Sequence, residues 1–225
     1  METPIDHVIR LNSSSAPGVT MMKNFVSFAL TIVLFAPSDD PETISIVRGS
    51  DPTQFELVGL GPDSISIRDG IVRLTGKPLG YFATKQPYRN FILSFEWRYE
   101  RPEAKGADAG FRGNSGLLIH VRKPHKVWPD CTQVQLAQVD AGALFGMGDS
   151  RFVGVVAPEA QSRAILPVGQ WNRVEVTAKS GSISCILNGI EVSRGLESRP
   201  EAGAIGWQSE GEPVQFRKIQ LQPIP

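Results

Sequence analysis

The sequence predicts an all-β protein, a β-sandwich or jelly roll in which two antiparallel sheets pack face to face. The chain of 225 residues contains 22 glycines and 17 prolines, a composition that favours many turns over long helices. From Thr43 onward the apolar residues recur with a period of two, which is the spacing of β-strands. No internal repeat or linker divides this region, and its length is enough to bury one sizeable core. We therefore expect a single domain over 43–225.

Two hairpin signals and an aromatic strand define the predicted sheets. Asp-Gly at 69–70 interrupts the alternating segment 64–74, and Asn-Gly at 188–189 interrupts 182–194. Both dipeptides accept the positive φ of tight hairpin turns. Between them, 91–99 places its aromatic residues on one face, which predicts a core strand. Further strands are predicted at 113–121, 131–138, 171–178, 203–209 and 214–222, and one short helix within 156–166.

The charge balance argues against a nucleic-acid partner. Lys and Arg number 23, as do Asp and Glu, so the formal net charge is zero. A protein that tracks a phosphate backbone needs a concentrated positive surface. Neither the total nor any local run of Lys and Arg supplies one, so we predict no nucleic-acid binding.

The segment 21–36 has the pattern of a secretory signal peptide. Lys23 precedes eleven residues, 25–35, that are apolar except for one serine and one threonine. At about 1.5 Å per residue, this stretch is too short for a hydrocarbon core of about 30 Å, which argues against a stable membrane span. We expect cleavage near Ala36, a secreted or periplasmic protein, and a disordered segment 1–42 that includes an upstream extension. The alternative is a soluble protein with an unstructured N-terminal tail.

The cysteines and histidines provide no obvious metal site. Two cysteines, Cys131 and Cys185, are too few for a disulfide framework or a four-ligand structural zinc. They could pair after export or remain as buried thiols, and alternation does not decide between these outcomes. His7 and His125 have no ligand partners at a suitable spacing. No cofactor is required; a calcium ion held by loop oxygens is compatible with such a sandwich, but no residue demands one.

Polar residues in apparently central strands suggest a sugar-binding groove. Strand alternation places Asn114 and His120 on one side of 113–121, and Gln133 and Gln135 on one side of 131–138. A sheet face rich in donors and acceptors suits sugar hydroxyls, with an aromatic surface such as Trp128 or Trp207 for stacking. An ordinary solvent-facing sheet is the alternative. The predicted groove would carry Glu96, Arg98, Asn114, His120, Gln133 and Gln135.

The order of the sequence motifs adds a resemblance. The series is NFILSFEWRY, GNSGLLIHV, CTQVQLAQVDAGALFG, GQWNRVEV, LNGIEV, GAIGWQSEG and VQFRKIQL. In this order it resembles the 3-keto-disaccharide hydrolase family, also described as 3-keto-glucoside 1,2-lyase and 3-keto-2-hydroxy-glucal hydratase, over roughly 43–222. The resemblance implies a concanavalin A-like lectin/glucanase sandwich, a carbohydrate substrate, and export from a bacterial cell.

Three departures from the family pattern bear on catalysis. Gln133 stands where the family usually has a glutamate two residues before a glutamine. The segment 207–211 reads WQSEG where the family often has His-Gly, and Lys218 replaces an asparagine. A non-catalytic carbohydrate-binding or surface-interaction module is therefore the alternative to an enzyme.

The implied reaction defines the residue types to look for. A ketone at C3 of a sugar acidifies the C2 proton, so the glycosidic bond can break by elimination, and hydration then completes a net hydrolysis. Elimination needs a base, a stabiliser for the enolate and a proton donor for the leaving group. His120 is the first candidate base and Glu96 the second; Arg98 would hold the enolate oxygen or pair with Glu96. The remaining candidate substrate-binding residues are Asn114, Gln133, Gln135, Trp207 and the loop carboxylate Glu210.

Overall fold

The computed structural model describes residues 42–100, 110–123, 125–198 and 200–225. These residues belong to one compact unit, Asp40–Pro225. The predicted signal segment 21–36 lies outside the described residues and stays a prediction. In the part of the chain that the structure describes, no helix is long and apolar enough to cross a membrane.

Fifteen strands and one α-helix are present in the described residues. In chain order they are β1 (Ile44–Ser45), β2 (Glu56–Val58), β3 (Ile65–Arg68), β4 (Ile71–Leu74), β5 (Gly80–Ala83), β6 (Phe91–Tyr99), β7 (Gly116–Val121), β8 (Cys131–Gln135), β9 (Leu144–Met147), β10 (Phe152–Val156), α1 (Pro158–Ala164), β11 (Asn172–Lys179), β12 (Ser182–Leu187), β13 (Ile190–Glu197), β14 (Ala204–Ser209) and β15 (Val214–Pro223). Single 3₁₀ turns occupy Pro52–Gln54 and Pro62–Ser64.

The strands form two antiparallel sheets, which confirms the predicted β-sandwich. Sheet A has the strand order β10-β13-β12-β11-β6-β15-β4-β3, with β1 paired to β15. Sheet B has the order β2-β5-β14-β7-β8-β9. The hairpin β3–β4 turns at Asp69 with φ of 51°, and β12–β13 turns at Asn188 with φ of 47°, as the Asp-Gly and Asn-Gly signals predict.

The main core lies between the sheets. Strand β6 buries every odd-numbered residue from Phe91 to Tyr99 and leaves the even-numbered ones partly exposed. From sheet B, Phe82 and Trp207 enter the same core and stack with ring centroids 5.0 Å apart. Burial of a large apolar side chain contributes about 1.5–3 kcal/mol, so this aromatic layer is a major source of stability.

A second, smaller cluster identifies the opposite face of sheet B. Its members alternate along their strands with residues of the main core, so their side chains lie on the outer face of the sheet. They are Tyr81, Ala83, Leu118, Val121, Cys131 and Ala204.

A β-bulge in β7 changes the direction of His120. Ala204 pairs with Val121 and Gly206 pairs with Leu118, so β7 contains one more residue than β14 across this stretch. His120 adopts a φ of 55° at the extra position. The alternation is broken there, and the prediction that Asn114 and His120 share one sheet face is wrong.

Candidate functional site

Polar side chains converge on the outer face of sheet B, and we call this set the amide face. Gln133 alternates with the core residue Val134, and Gln208 alternates with the core residue Trp207. Both glutamines are therefore directed away from the core. The amide face consists of Tyr81, Asn114, Gln133, Gln135, Gln208 and Glu210.

Gly116 lies beneath the side-chain amides of Gln133 and Gln208. A Cβ added at Gly116 would lie 2.3 Å from Gln208 Oε1 and 2.7 Å from Gln133 Nε2. Ordinary contacts begin near 3.4 Å, so a side chain at this position would force both amide groups to move. The glycine in the Asn-Ser-Gly motif thus allows amides from neighbouring strands to close over the β7 backbone.

Hydrogen bonds connect the amides to a carboxylate at each side. Gln133 Nε2 donates to Gln135 Oε1 at 3.0 Å, and Gln135 in turn bonds the carboxylate of Asp140. Asn114 bonds the carboxylate of Glu210, and the backbones of these two residues also form a β-bridge. The face therefore contains two hydrogen-bonded units, and each ends in a carboxylate.

Several polar atoms of the site are buried but unpaired. Four of the buried atoms without a hydrogen-bond partner in the described part of the chain belong to this site: Tyr81 Oη, Asn114 Oδ1, Gln208 Oε1 and Asp140 Oδ1. Buried polar groups are nearly always paired, because an unmade hydrogen bond costs about 1–3 kcal/mol. A polyhydroxylated ligand would supply the complementary groups.

Burial shifts both carboxylates of the site toward the neutral form. It raises the pKa of Glu210, and the hydrogen bond from Asn114 opposes this only in part. Burial likewise raises the pKa of Asp140 above its usual value. The buried Tyr99 hydroxyl also has a raised pKa, first from burial and then from the charges of Glu210 and Asp140. Both carboxylates thus act on one hydroxyl and lie at the same end of the sandwich.

An aromatic side chain that is not among the predicted site residues borders the amide face. In the β8–β9 pair, Phe145 lies directly opposite Gln133, so both side chains are on the outer face of sheet B. Phe145 is 39% exposed and can offer its ring to a ligand. By contrast, Trp207 is fully buried in the main core and cannot serve as the predicted stacking surface.

Two of the predicted site residues belong to the other sheet. Glu96 and Arg98 lie on β6, so their side chains occupy the outer face of sheet A, and the prediction of one shared groove is wrong. Glu96 accepts hydrogen bonds from Arg217 at 2.6 Å and Lys218 at 2.9 Å. Burial opposes its ionisation, but these bonds outweigh burial and lower its pKa. Arg98 donates to Gln215 at 2.9 Å.

His120 lies apart from the amide face and is held at both ring nitrogens. Its Nε2 donates to the Arg89 carbonyl oxygen at 2.8 Å, and its Nδ1 lies 2.7 Å from the Glu197 carboxylate. The side chain is only 2% exposed. This geometry leaves no ring nitrogen available to a substrate, so it does not support His120 as the catalytic base. The contact ties β7 of sheet B to β13 of sheet A.

The cysteines are free thiols, so the disulfide alternative is wrong. Cys131 lies on the outer face of sheet B, whereas Cys185 is in the main core. Burial raises the pKa of the Cys185 thiol to about 12 and that of Cys131 further still, so both are unreactive. Across 42–100, 110–123, 125–198 and 200–225, no group of three or more His, Cys, Asp or Glu side chains could hold a metal ion.

Comparisons with known proteins agree with the fold and with the resemblance. The family model described as a 3-keto-alpha-glucoside-1,2-lyase-like domain matches residues 42–222. No curated protein sequence matches the chain significantly. Two solved structures from Parabacteroides distasonis ATCC 8503, both provisionally assigned as glycosyl hydrolases, share the fold. The first has 19% identity and a TM-score of 0.60, covering 81% of this chain and 94% of its own. The second has 18% identity and a TM-score of 0.58, covering 76% of this chain and 94% of its own.

A galectin-like structure supports the same architecture. It comes from Bacillus subtilis, is 12% identical, has a TM-score of 0.50, and covers 80% of this chain and 94% of its own. At these identities the likeness concerns the fold alone.

Proposed function

Since this chain belongs to the 3-keto-disaccharide hydrolase family, we propose that it is an exported enzyme that cleaves 3-keto-glucosides at the amide face. The observation that carries this proposal is the combination of unpaired buried polar atoms with two carboxylates of raised pKa, Glu210 and Asp140, that are hydrogen-bonded to amides of this face. The unpaired atoms match a ligand rich in hydroxyl groups, and the carboxylates match a reaction that moves protons.

Glu210 is the proposed base. Its carboxylate removes the proton from C2, which the C3 ketone acidifies, and the electrons form an enolate on the C3 oxygen. The enolate then expels the substituent at C1, and the departing oxygen takes a proton from Asp140. A raised pKa suits both roles, because a stronger base removes the C2 proton more readily and a carboxyl group retains a proton for delivery. Water adds across C1 and C2 of the glucal to complete a net hydrolysis.

The uncharged groups of the face position the sugar and stabilise the enolate. Burial raises the pKa of Tyr81, so its hydroxyl keeps its proton and can donate a hydrogen bond to the enolate oxygen. Gln133 and Gln208 present amide groups on either side of Gly116 and would bond the ring hydroxyls. Phe145 would pack against the apolar face of a sugar ring.

A chromogenic 3-keto-glucoside and its unoxidised parent test the reaction. We expect release from the keto substrate only, because the parent lacks the acidic C2 proton. Glu210→Gln should lower turnover by about 10²–10⁴-fold, the usual contribution of a general base. Glu96→Gln is the matched control, since this carboxylate lies on the outer face of sheet A. Unchanged turnover in Glu210→Gln, or an equal loss in Glu96→Gln, would contradict the assignment.

A binding module is the second candidate function, and Gln133 favours it. Gln133 is an amide where the family usually has a carboxylate, and it donates its hydrogen bond to Gln135. In this case the chain would bind the keto-glucoside without releasing the chromophore. Gln133→Glu separates the two functions further: a gain of turnover would show that the carboxylate is required at this position, whereas unchanged turnover in an active chain would leave Glu210 as the base.

Export is the part of the proposal that rests on sequence alone. N-terminal sequencing of protein made from Met21 in a bacterial host should give a mature end between about Ala36 and Thr43. Unprocessed protein retained in the cytoplasm would contradict the signal-peptide interpretation.

A further inference from the structure

A cationic pocket lies on the outer face of sheet B, away from Gly116. Its volume is about 400 Å³, within the usual range for small-ligand sites. Its wall includes Val121 and Ala204, a cross-strand pair from the same outer-face cluster that contains Tyr81. Along β7, Val121 is five residues from Gly116, which is about 16 Å at the rise of a strand. The pocket and the amide face therefore occupy the same sheet surface at different ends.

The charged lining of this pocket is predominantly positive. Lys85, Arg122 and Lys123 contribute cations, and Glu201 is the carboxylate that faces them. His125 also lines the pocket and is bonded to Glu56 at 2.6 Å. Arg122 Nη2 lies 3.8 Å from Glu197 Oε1, so this carboxylate balances part of the arginine charge. Lys85 and Lys123 are exposed, and the Lys85 ammonium also donates to the Thr53 carbonyl oxygen at 2.6 Å.

We propose that this pocket binds the anionic group of an acidic sugar, a carboxylate or a sulfate. Like charges that share a pocket raise the local positive potential, and a bound anion relieves their repulsion. Lysine ammonium groups and an arginine guanidinium also supply the N–H donors that carboxylate and sulfate oxygens accept. The proposal rests on the proposed function only in taking the ligand to be a sugar, because the preference for an anion is argued from the Lys85, Arg122 and Lys123 side chains of the lining.

Methyl glucuronide and methyl glucoside are suitable probes, because they differ only in the carboxylate. Calorimetric titration of the full chain should show binding of the glucuronide that weakens as salt is added, and at least about tenfold weaker binding of the glucoside. The double variant Lys85→Ala, Lys123→Ala should bind the glucuronide about tenfold more weakly or not at all. Lys179→Ala, an exposed lysine at the end of β11 in sheet A, should bind as the unmodified chain does.

The outcomes separate this proposal from the catalytic one. Equal affinity for the two sugars, absence of glucuronide binding, or unchanged binding by a folded double variant would overturn the anion pocket. Turnover of a neutral 3-keto-glucoside is a separate measurement, because the residues proposed to cleave this substrate are at the amide face and not in the pocket. A chain that cleaves the neutral substrate but does not bind glucuronide keeps its proposed function and loses this pocket. A chain that binds glucuronide but cleaves nothing shows the reverse.

Discussion

Substitution of Gly116 by alanine tests the amide face without removing any of its polar groups. The added Cβ would lie 2.3 Å from Gln208 Oε1, whereas an ordinary contact begins near 3.4 Å. The Gln208 oxygen must therefore retreat by about 1 Å, a displacement that can cost about 10²-fold in rate when it misplaces a substrate. Gln133 Nε2, at 2.7 Å, must also move. We expect turnover of the 3-keto-glucoside to fall by about two orders of magnitude.

The cost in stability should be small by comparison. Overpacking typically costs about 1–3 kcal/mol, and flexible amide ends can swing away more easily than backbone, so we expect the lower end of this range. For a chain of this size, about 1 kcal/mol lowers Tm by about 2–4 °C. Thermal unfolding and turnover are measured on the same samples, so that loss of folded protein is separated from loss of function.

Gly61→Ala is the matched control. No atom lies within 4 Å of a Cβ added there, and the φ of −89° suits any residue. Its turnover and Tm should stay close to those of the unmodified chain. If Gly116→Ala remains folded and turns over at the normal rate, Gln133 and Gln208 do not contact the reacting sugar, and the site assignment fails.

Three further variants test the two sheet faces and the core. Phe145→Ala should weaken binding of the sugar by about 2–10-fold with little change in Tm, since a half-exposed ring contributes mainly to the ligand contact; an unchanged affinity by titration would argue against stacking. Leu117→Ala should lower the free energy of unfolding by about 2–5 kcal/mol, because this side chain is fully buried in the main core, and a loss below 1 kcal/mol in denaturant titration would contradict that position. The lowered pKa of Glu96 means that its bonds to Arg217 and Lys218 stabilise the fold above the ordinary pKa of 4.5, and that this stabilisation is lost as the pH falls through the lower folded-state value. The Tm difference between the unmodified chain and Glu96→Gln should therefore shrink in acid, and a constant difference would refute the ion-pair interpretation.

Local patterns were sufficient to predict the strands and the core. The alternation in β6 correctly separates its buried aromatic residues from its partly exposed polar ones. Likewise, Asp-Gly and Asn-Gly mark hairpins because the turn chemistry is contained in adjacent residues. These features depend on neighbours in sequence, and a single sequence displays them directly.

Sheet membership depends on pairing between distant residues, and this is where the site prediction failed. Strands β6 and β7 follow each other in sequence, but β6 pairs with β11 and β15 whereas β7 pairs with β8 and β14. Glu96 and Asn114 consequently lie on different sheets. Alternation reports the side of a strand, but it cannot report the sheet that the strand joins.

Two further errors in the site prediction concern His120 and Glu210. The first arises from a bulge in β7, and the second from the predicted end of the strand that carries Gln208. The sequence does not predict the bulge at His120, because the residue with positive φ is a histidine and not a glycine or an asparagine. Glu210 falls just beyond the predicted strand 203–209, although it follows Gln208 by two positions and continues its alternation through a bridge to Asn114. That period was visible in the sequence and could have placed Glu210 on the same face. Phe145 was missed because β9 was not predicted as a strand.

Hydrogen-bond pairing distinguishes the two polar faces more sharply than residue type does. Glu96 and Arg98 on sheet A have the same chemical character as a catalytic acid and cation, but their bonds to Lys218, Arg217 and Gln215 already satisfy them. On sheet B the buried oxygens of Asn114 and Gln208 have no hydrogen-bond partner within the protein. A polar cluster that only stabilises a sheet would be expected to satisfy its own hydrogen bonds, as the Glu96 and Arg98 side chains do on the outer face of sheet A. The unsatisfied hydrogen-bonding groups of the amide face are therefore the stronger indication of a ligand site. For this reason the neighbouring carboxylates are the ones to test for catalysis.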